Sequence, residues 1–308
     1  MSPLPLLRRL TVVSLSSSLL LLLCNLSTRA AEAPVPAPVP AEVAIPRPSS
    51  AELAQAAQGL QQFVAQADSA TKAIVAKYPD LIAVRPPRLN PAVVPILNPG
   101  HRTKHAANVE VAKKGDIDVL FMGDSITDWW RSAGAPGVTN PRNAGKAVFD
   151  RYFGTMKVAN FGIAGDTTQG VLFRLQNGEG QGFQPKAIML MIGTNNAGNC
   201  SSAEIAEGVG AVVLELRKNF PAAKILLLGI FPRANPGDAV RKTVLDVNPL
   251  IAKLHDGQTV FYLDIGAKFL DADGVIPPDV MPDKLHPSEK GYEIWAEAVK
   301  EPLAALLK

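Results

Sequence analysis

The stretch Val119-Leu120-Phe121-Met122-Gly123-Asp124-Ser125 closes an apolar run that begins at Ile117 and ends abruptly in Gly-Asp-Ser. A nearly continuous run of this kind reads as a strand buried on both faces, so the polar residues that follow it sit at the strand's carboxyl end. Four more runs share the character: Val158–Phe161, Ala187–Ile192, Ile225–Ile230 and Val260–Leu263. The stretches Thr167–Asn177, Ser201–Phe220, Asp238–Leu254 and Pro287–Leu307 carry helical periodicity, and Ser201-Ser202-Ala203-Glu204 supplies a capped start for one of them. Alternation of this kind predicts an α/β domain with a doubly wound, mainly parallel five-stranded sheet flanked by helices. Ligands of such sheets bind at the carboxyl ends of the strands.

Toward the N-terminus the pattern changes. Residues 1–30 read as a secretory signal peptide: Arg8 and Arg9 precede an apolar run from Leu10 to Leu23, and small residues follow at Thr28-Arg29-Ala30 and Ala31-Glu32-Ala33. The run is shorter than the roughly 20 apolar residues of a membrane-spanning helix. A secreted or periplasmic protein with no stable span after cleavage is therefore expected, an uncleaved anchor being the competing reading. Residues 31–50, containing AEAPVPAPVPAEVAIPRP, read as an Ala/Pro-rich linker near polyproline II. Over 51–78, Leu53, Leu60, Phe63, Val64 and Ile74 fall at helical intervals behind Ser50, predicting a helical segment. Stalk, appended helix and oligomerisation element all remain open for it, and with them a homo-oligomer. Residues 79–100, rich in proline, read as an extended connector, and 101–308 as the organised domain. On this division, removing residues 31–99 leaves an enzyme's turnover intact.

The 308 residues carry 31 Lys and Arg against 28 Asp and Glu, a formal charge of +3. Arg8, Arg9 and Arg29 supply that surplus ahead of the expected processing site, so no electrostatic basis for a nucleic-acid partner is left afterwards. Charged residues at 19% and apolar ones at 47% describe a globular chain rather than a disordered one. Cys24 leaves with the leader, and Cys200 alone cannot form an internal disulfide; it reads as a small, half-buried thiol.

Four strand ends carry the polar residues. Ser125 begins a segment that can start a helix, where a hydroxyl lies near exposed N–H groups; taken alone, the tripeptide reads first as a simple N-cap or tight turn. In Asn160-Phe161-Gly162-Ile163-Ala164-Gly165-Asp166-Thr167-Thr168 two glycines let a ligand approach the backbone, or merely form a turn. The string lacks the first glycine of a dinucleotide fingerprint. Gly193-Thr194-Asn195-Asn196 offers a neutral amide suited to an oxyanion, or a turn-forming pair. Asp283-Lys284-Leu285-His286 places an acid within one turn of a histidine, the order in which an acid fixes the tautomer of a general base, unless the loop is merely solvated. His101 and His105 form an H-x3-H pair without an evident third ligand, so no metal site is expected, and His255 reads as a helix cap. Trp129 and Trp130 read as core aromatics, with an acyl or sugar subsite as the alternative.

Taken together and in this order, the four blocks from about Asp116 onward resemble the SGNH or GDSL hydrolases, most closely the branch containing the catalytic subunits of intracellular platelet-activating-factor acetylhydrolase. That resemblance implies the flavodoxin-like SGNH fold and a serine ester hydrolase. It implies Ser125 as nucleophile, His286 and Asp283 as the rest of a triad, and an oxyanion hole from the N–H groups of Ser125 and Gly165 and the side chain of Asn195. No metal or organic cofactor is implied. Asn196 stands where the family often has Asp, a change expected to be structural. Without a lid or long apolar insertion between the blocks, an esterase for acetyl or other short acyl groups is expected over a long-chain lipase. For an exported protein the expected substrate is a small-molecule or glycan ester, such as O-acetylated glycan. A non-catalytic glycan-binding relative and a lysophospholipase-like acylhydrolase are the alternatives.

Overall fold

The computed structural model describes residues 35–308, so the leader reading for 1–30 lies outside the described residues. Two helices come first, α1 (Ser50–Gln66) and α2 (Ser69–Lys77). Then follow α3 (Arg102–Lys114), β1 (Val119–Gly123), α4 (Ser125–Asp128), α5 (Lys146–Phe153), β2 (Val158–Asn160), α6 (Thr168–Arg174) and β3 (Ala187–Met191). The chain ends with α7 (Ser202–Asn219), β4 (Lys224–Leu228), α8 (Ala239–Ile251), β5 (Val260–Leu263) and α9 (Glu289–Leu306). All five strands are parallel in the order β2-β1-β3-β4-β5, the doubly wound arrangement the apolar runs predict.

Successive side chains of a strand point to opposite faces, and here each face has its own core. Leu120, Met122, Ile188, Leu190, Ile225 and Leu227 join Val171, Val209, Val212 and Val247 on one side. Phe121, Met189, Met191, Leu226 and Leu228 join Trp130, Phe153, Trp295 and Val299 on the other. β1 and β3 are thus apolar throughout because neither of their faces meets water. Among the described residues, no helix is long and apolar enough to cross a membrane.

The N-terminal extension departs from the expectation. Residues 35–48 have no regular structure, yet they pack as a strap along α7 rather than hanging free. Ala37 and Val43 are buried in the core, and the Ala37 N–H donates to the Val93 carbonyl at 2.7 Å. Glycine at 210 makes room for the strap, since a Cβ there would lie 2.6 Å from Val43 and 2.8 Å from Pro40. The 79–100 segment is likewise not a bare connector: it holds short 3₁₀ turns at Pro79–Ile82, Pro91–Val93 and Pro99–His101, and Ala92, Val93 and Val94 are buried. The helical segment expected over 51–78 comes as two helices, because Asp68 accepts from the Thr71 N–H and starts a new helix there. Neither α1 nor α2 buries a residue.

Candidate active site

β1 lies between β2 and β3, so the polar residues after these three parallel strands share one end of the sheet. Gly123 ends β1, and only glycine fits: a Cβ would come within 2.4 Å of the Met191 carbonyl oxygen and 2.3 Å of Thr127 Oγ1. Asp124 caps α4 by accepting the Ile126 N–H at 3.0 Å, and Ser125 becomes the first residue of that helix. From α9, the Tyr292 hydroxyl donates to the Ile126 carbonyl at 2.7 Å and pins α4 from below. Burial pushes the Asp124 carboxyl up to about 7, against the pull of the Ile126 N–H and of Arg233.

His286 and Asp283 arrive from the loop before α9. Ser125 Oγ lies 3.0 Å from His286 Nε2, and His286 Nδ1 lies 2.7 Å from Asp283 Oδ2. Burial works against the Asp283 charge, but the backbone N–H and ring of His286 and the Arg142 guanidinium outweigh it and hold the carboxyl down at about 2. An ionised carboxylate only accepts, so Nδ1 carries the ring proton and Nε2 is left free to accept from the serine hydroxyl. Burial lowers the His286 pKa below the ordinary imidazole value, and Asp283 only partly restores it. Trp129 packs edge-on against this ring with centroids 4.4 Å apart, whereas Trp130 is fully buried between Phe153, Tyr292 and Trp295. The tryptophan pair therefore divides: Trp130 belongs to the core and Trp129 borders the Ser125–His286 pair.

The turn after β2 presents Gly165 with φ +80, in the left-handed region that favours glycine. No acceptor among the described residues takes its N–H. Beyond β3, Asn195 spends one amide hydrogen on the Asp166 carbonyl at 2.8 Å, which ties it to the Gly165 turn and leaves a second hydrogen unused. Asn196 faces away: its Oδ1 accepts the Thr168 N–H, and its Nδ2 reaches Gln169 Oε1 at 2.8 Å, linking the turn to α6. Arg233 donates to both the carbonyl and the hydroxyl of Thr194, bracing the same turn from the loop after β4.

Beneath these turns lie charged residues that sequence reasoning did not assign. Asp128 accepts from Arg131 at 2.6 Å, from the Ala164 N–H at 3.1 Å and from Lys104, while Arg131 also holds the Asn160 and Gly162 carbonyls. Arg174, fully buried, pairs with Asp166 at 2.8 Å and with Glu179. His105 binds the same Glu179 at 2.8 Å, and His101 sits beside Gly165, so the H-x3-H pair is divided between two carboxylates. The signal available was the Asp128–Arg131 spacing; the rest depends on contacts made only in three dimensions. Among the described residues, no three His, Cys, Asp or Glu side chains are gathered as a metal ion would need. Cys200 is buried and free, and burial pushes its thiol pKa up. His255 takes the Tyr262 N–H on Nδ1 at the end of the turn after α8.

The family model for GDSL-like lipases and acylhydrolases matches residues 121–294. Platelet-activating factor acetylhydrolase IB subunit alpha2 of Rattus norvegicus is 33% identical over 207 residues, covering 67% of this chain and 84% of that protein. The alpha1 subunit of Homo sapiens is 31% identical over 204 residues, covering 66% and 82%. Among solved structures, a GDSL-like lipase from Bacteroides thetaiotaomicron superposes with a TM-score of 0.50 at 18% identity, covering 67% of this chain and 96% of that one. A member of the lipolytic protein G-D-S-L family from Veillonella parvula gives 0.50 at 19% identity, covering 61% and 98%. At such identities the superpositions speak for the fold alone.

Proposed function

Because the chain belongs to the GDSL-like lipase/acylhydrolase family, we propose that its ester hydrolysis runs through a triad of Ser125, His286 and Asp283. The observation that carries this reading is the unbroken chain from Ser125 Oγ through the ring of His286 to Asp283, with contacts of 3.0 and 2.7 Å. His286 Nε2 takes the hydroxyl proton as Ser125 Oγ attacks the ester carbonyl, and Asp283 holds the ring in the tautomer that makes this transfer possible. The oxyanion of the tetrahedral intermediate is met by the N–H groups of Ser125 and Gly165 and by the free amide hydrogen of Asn195. The alcohol leaves with the proton from Nε2. A water, deprotonated by the same nitrogen, then hydrolyses the acyl-Ser125 ester and restores the enzyme.

The acyl group is short, acetyl first, and the alcohol is that of a glycan outside the cytoplasm. Two observations support this: the strand-end blocks enclose no long apolar insertion, and residues 1–30 have the pattern of an export signal. The test is hydrolysis of a chromogenic ester series from acetyl to long acyl chains, by the enzyme and by Ser125→Ala. Rates that fall with chain length and vanish in the variant are expected. Equal rates in both proteins would remove Ser125 from the mechanism, and faster cleavage of long chains would remove the short-acyl assignment.

A further inference from the structure

Resting on that triad, we infer that Arg142 is a positioning residue for Asp283, delivered to it by the segment between Ser132 and Lys146. Arg142 Nη1 donates to Asp283 Oδ2 at 2.6 Å, the oxygen that also accepts from His286 Nδ1. Asp283 Oδ1 meanwhile accepts the N–H groups of Leu285 at 3.1 Å and His286 at 2.8 Å. Oδ2 is therefore held from two sides by charge-assisted or ring donors, and the carboxylate cannot rotate off the imidazole without giving up both.

The segment is built to hold Arg142 in one direction. Asn140 and Asn143 flank it in the left-handed region, at φ 50 and 66, a conformation asparagine tolerates better than most residues. The Asn143 N–H donates to the Pro287 carbonyl at 2.8 Å, the Asn140 amide to the Pro278 carbonyl at 3.0 Å, and the Lys146 N–H to the Ser132 carbonyl at 2.9 Å. Pro287 directly follows His286, so the same segment grips both sides of the acid–base pair. The Arg142 side chain is 56% exposed. An ion pair that open adds little to stability, which leaves geometry and local charge as what it supplies.

Arg142 favours the ionised form of Asp283 and opposes the charged form of His286. The other charged groups facing the ring are Asp283 on its own loop and Arg233 after β4; Asp124 is buried behind Ser125, and Lys284 is turned to Asn235. Removing Arg142 takes a positive charge from beside the imidazole, so His286 accepts a proton more readily.

The experiment is kcat and KM against pH for Arg142→Met and Arg142→Lys, beside the unaltered enzyme and Ser125→Ala, with 4-nitrophenyl acetate as substrate. Arg142→Met is expected to lower kcat roughly tenfold, part of what acid–base catalysis supplies. Its acid limb should move to higher pH, with KM and Tm near those of the unaltered enzyme. Arg142→Lys should recover the limb but only part of kcat, since an ammonium restores the charge and not the planar fork. A superimposable pH profile for Arg142→Met overturns the inference, as does a rise in KM alone, which would place Arg142 on the substrate. Activity surviving in Ser125→Ala would overturn the triad first, and the role of Arg142 with it.

Discussion

Glu207 and Asp124 are both carboxylates shut away from water, and the protein treats them in opposite ways. Glu207, on α7 beneath the N-terminal strap, is met by both terminal nitrogens of Arg47 at 2.7 Å, by the Ile45 N–H at 2.8 Å and by the Asn90 amide at 2.8 Å. Burial raises its pKa, but these donors outweigh burial and hold it below the usual glutamate range. Asp124, at the strand end beside Ser125, takes one backbone N–H, and among the described residues no cation lies within ion-pair distance of it. Burial carries it up to about 7. Glu207 is fully satisfied where the strap meets α7, whereas Asp124 is left with one donor at the strand end where the chemistry is proposed.

Substitutions in the two regions should therefore separate along different axes. The largest effect is expected at the strand ends, where Asn195→Ala should lower turnover by about 10²–10³ at unchanged Tm, the usual loss for one oxyanion donor. Unchanged turnover would take Asn195 out of the site. Next comes pH. Because burial lowers the His286 pKa, the neutral base persists into mildly acid solution, and kcat/KM should rise with pH through a midpoint below the ordinary imidazole value of 6.5. Asp283, held at about 2, stays ionised through that range and should add no second inflection. A midpoint above 6.5 would mean that Asp283 dominates the ring.

On the strap, Arg47→Met should cost about 2 kcal/mol, the usual penalty when a buried acceptor loses a charged partner that is itself partly exposed. That corresponds to a fall in Tm of about 5 °C with turnover per folded molecule unchanged. No change in Tm would mean that Ile45 and Asn90 suffice for Glu207. The smallest effect belongs to Asp124→Asn. The folded-state pKa is raised, so the native chain holds a proton that the unfolded chain releases. This contribution to stability is complete below about 3.8 and is lost as pH rises toward about 7. The amide cannot ionise, so thermal melts of the variant should lose that part of the pH dependence, and melts parallel to those of the unaltered protein would contradict the burial argument.

The sheet and the four polar blocks were legible because both write themselves into contiguous sequence: doubly buried strands are apolar throughout, and the residues at their ends are polar in short strings. The strap was not. Proline-rich composition is what a free linker looks like, and only contacts with distant residues, such as Val93 and, some 160 positions away, Glu207, turn 35–48 into part of the fold. Removing residues 31–99 would strip that carboxylate of Arg47, Ile45 and Asn90 together, so the deletion is expected to cost stability. α3 leaves little apolar mark in the sequence because Arg102–Lys114 buries only Asn108 and Ala112, and α5 is only eight residues long. Arg142 was equally hidden, since nothing around it in sequence distinguishes it from a solvated arginine; its partner lies 141 positions further on.

The most direct test of Ser125 as nucleophile is to trap the acyl-enzyme. The protein would be incubated with a fluorophosphonate ester, an irreversible mimic of the acylating substrate, and the labelled peptide identified by mass spectrometry. One label per chain on the peptide containing Ser125, absent from Ser125→Ala and formed more slowly as pH falls through the His286 titration, is the predicted result. Label on another residue, or none on a protein that hydrolyses acetate esters, would contradict the triad.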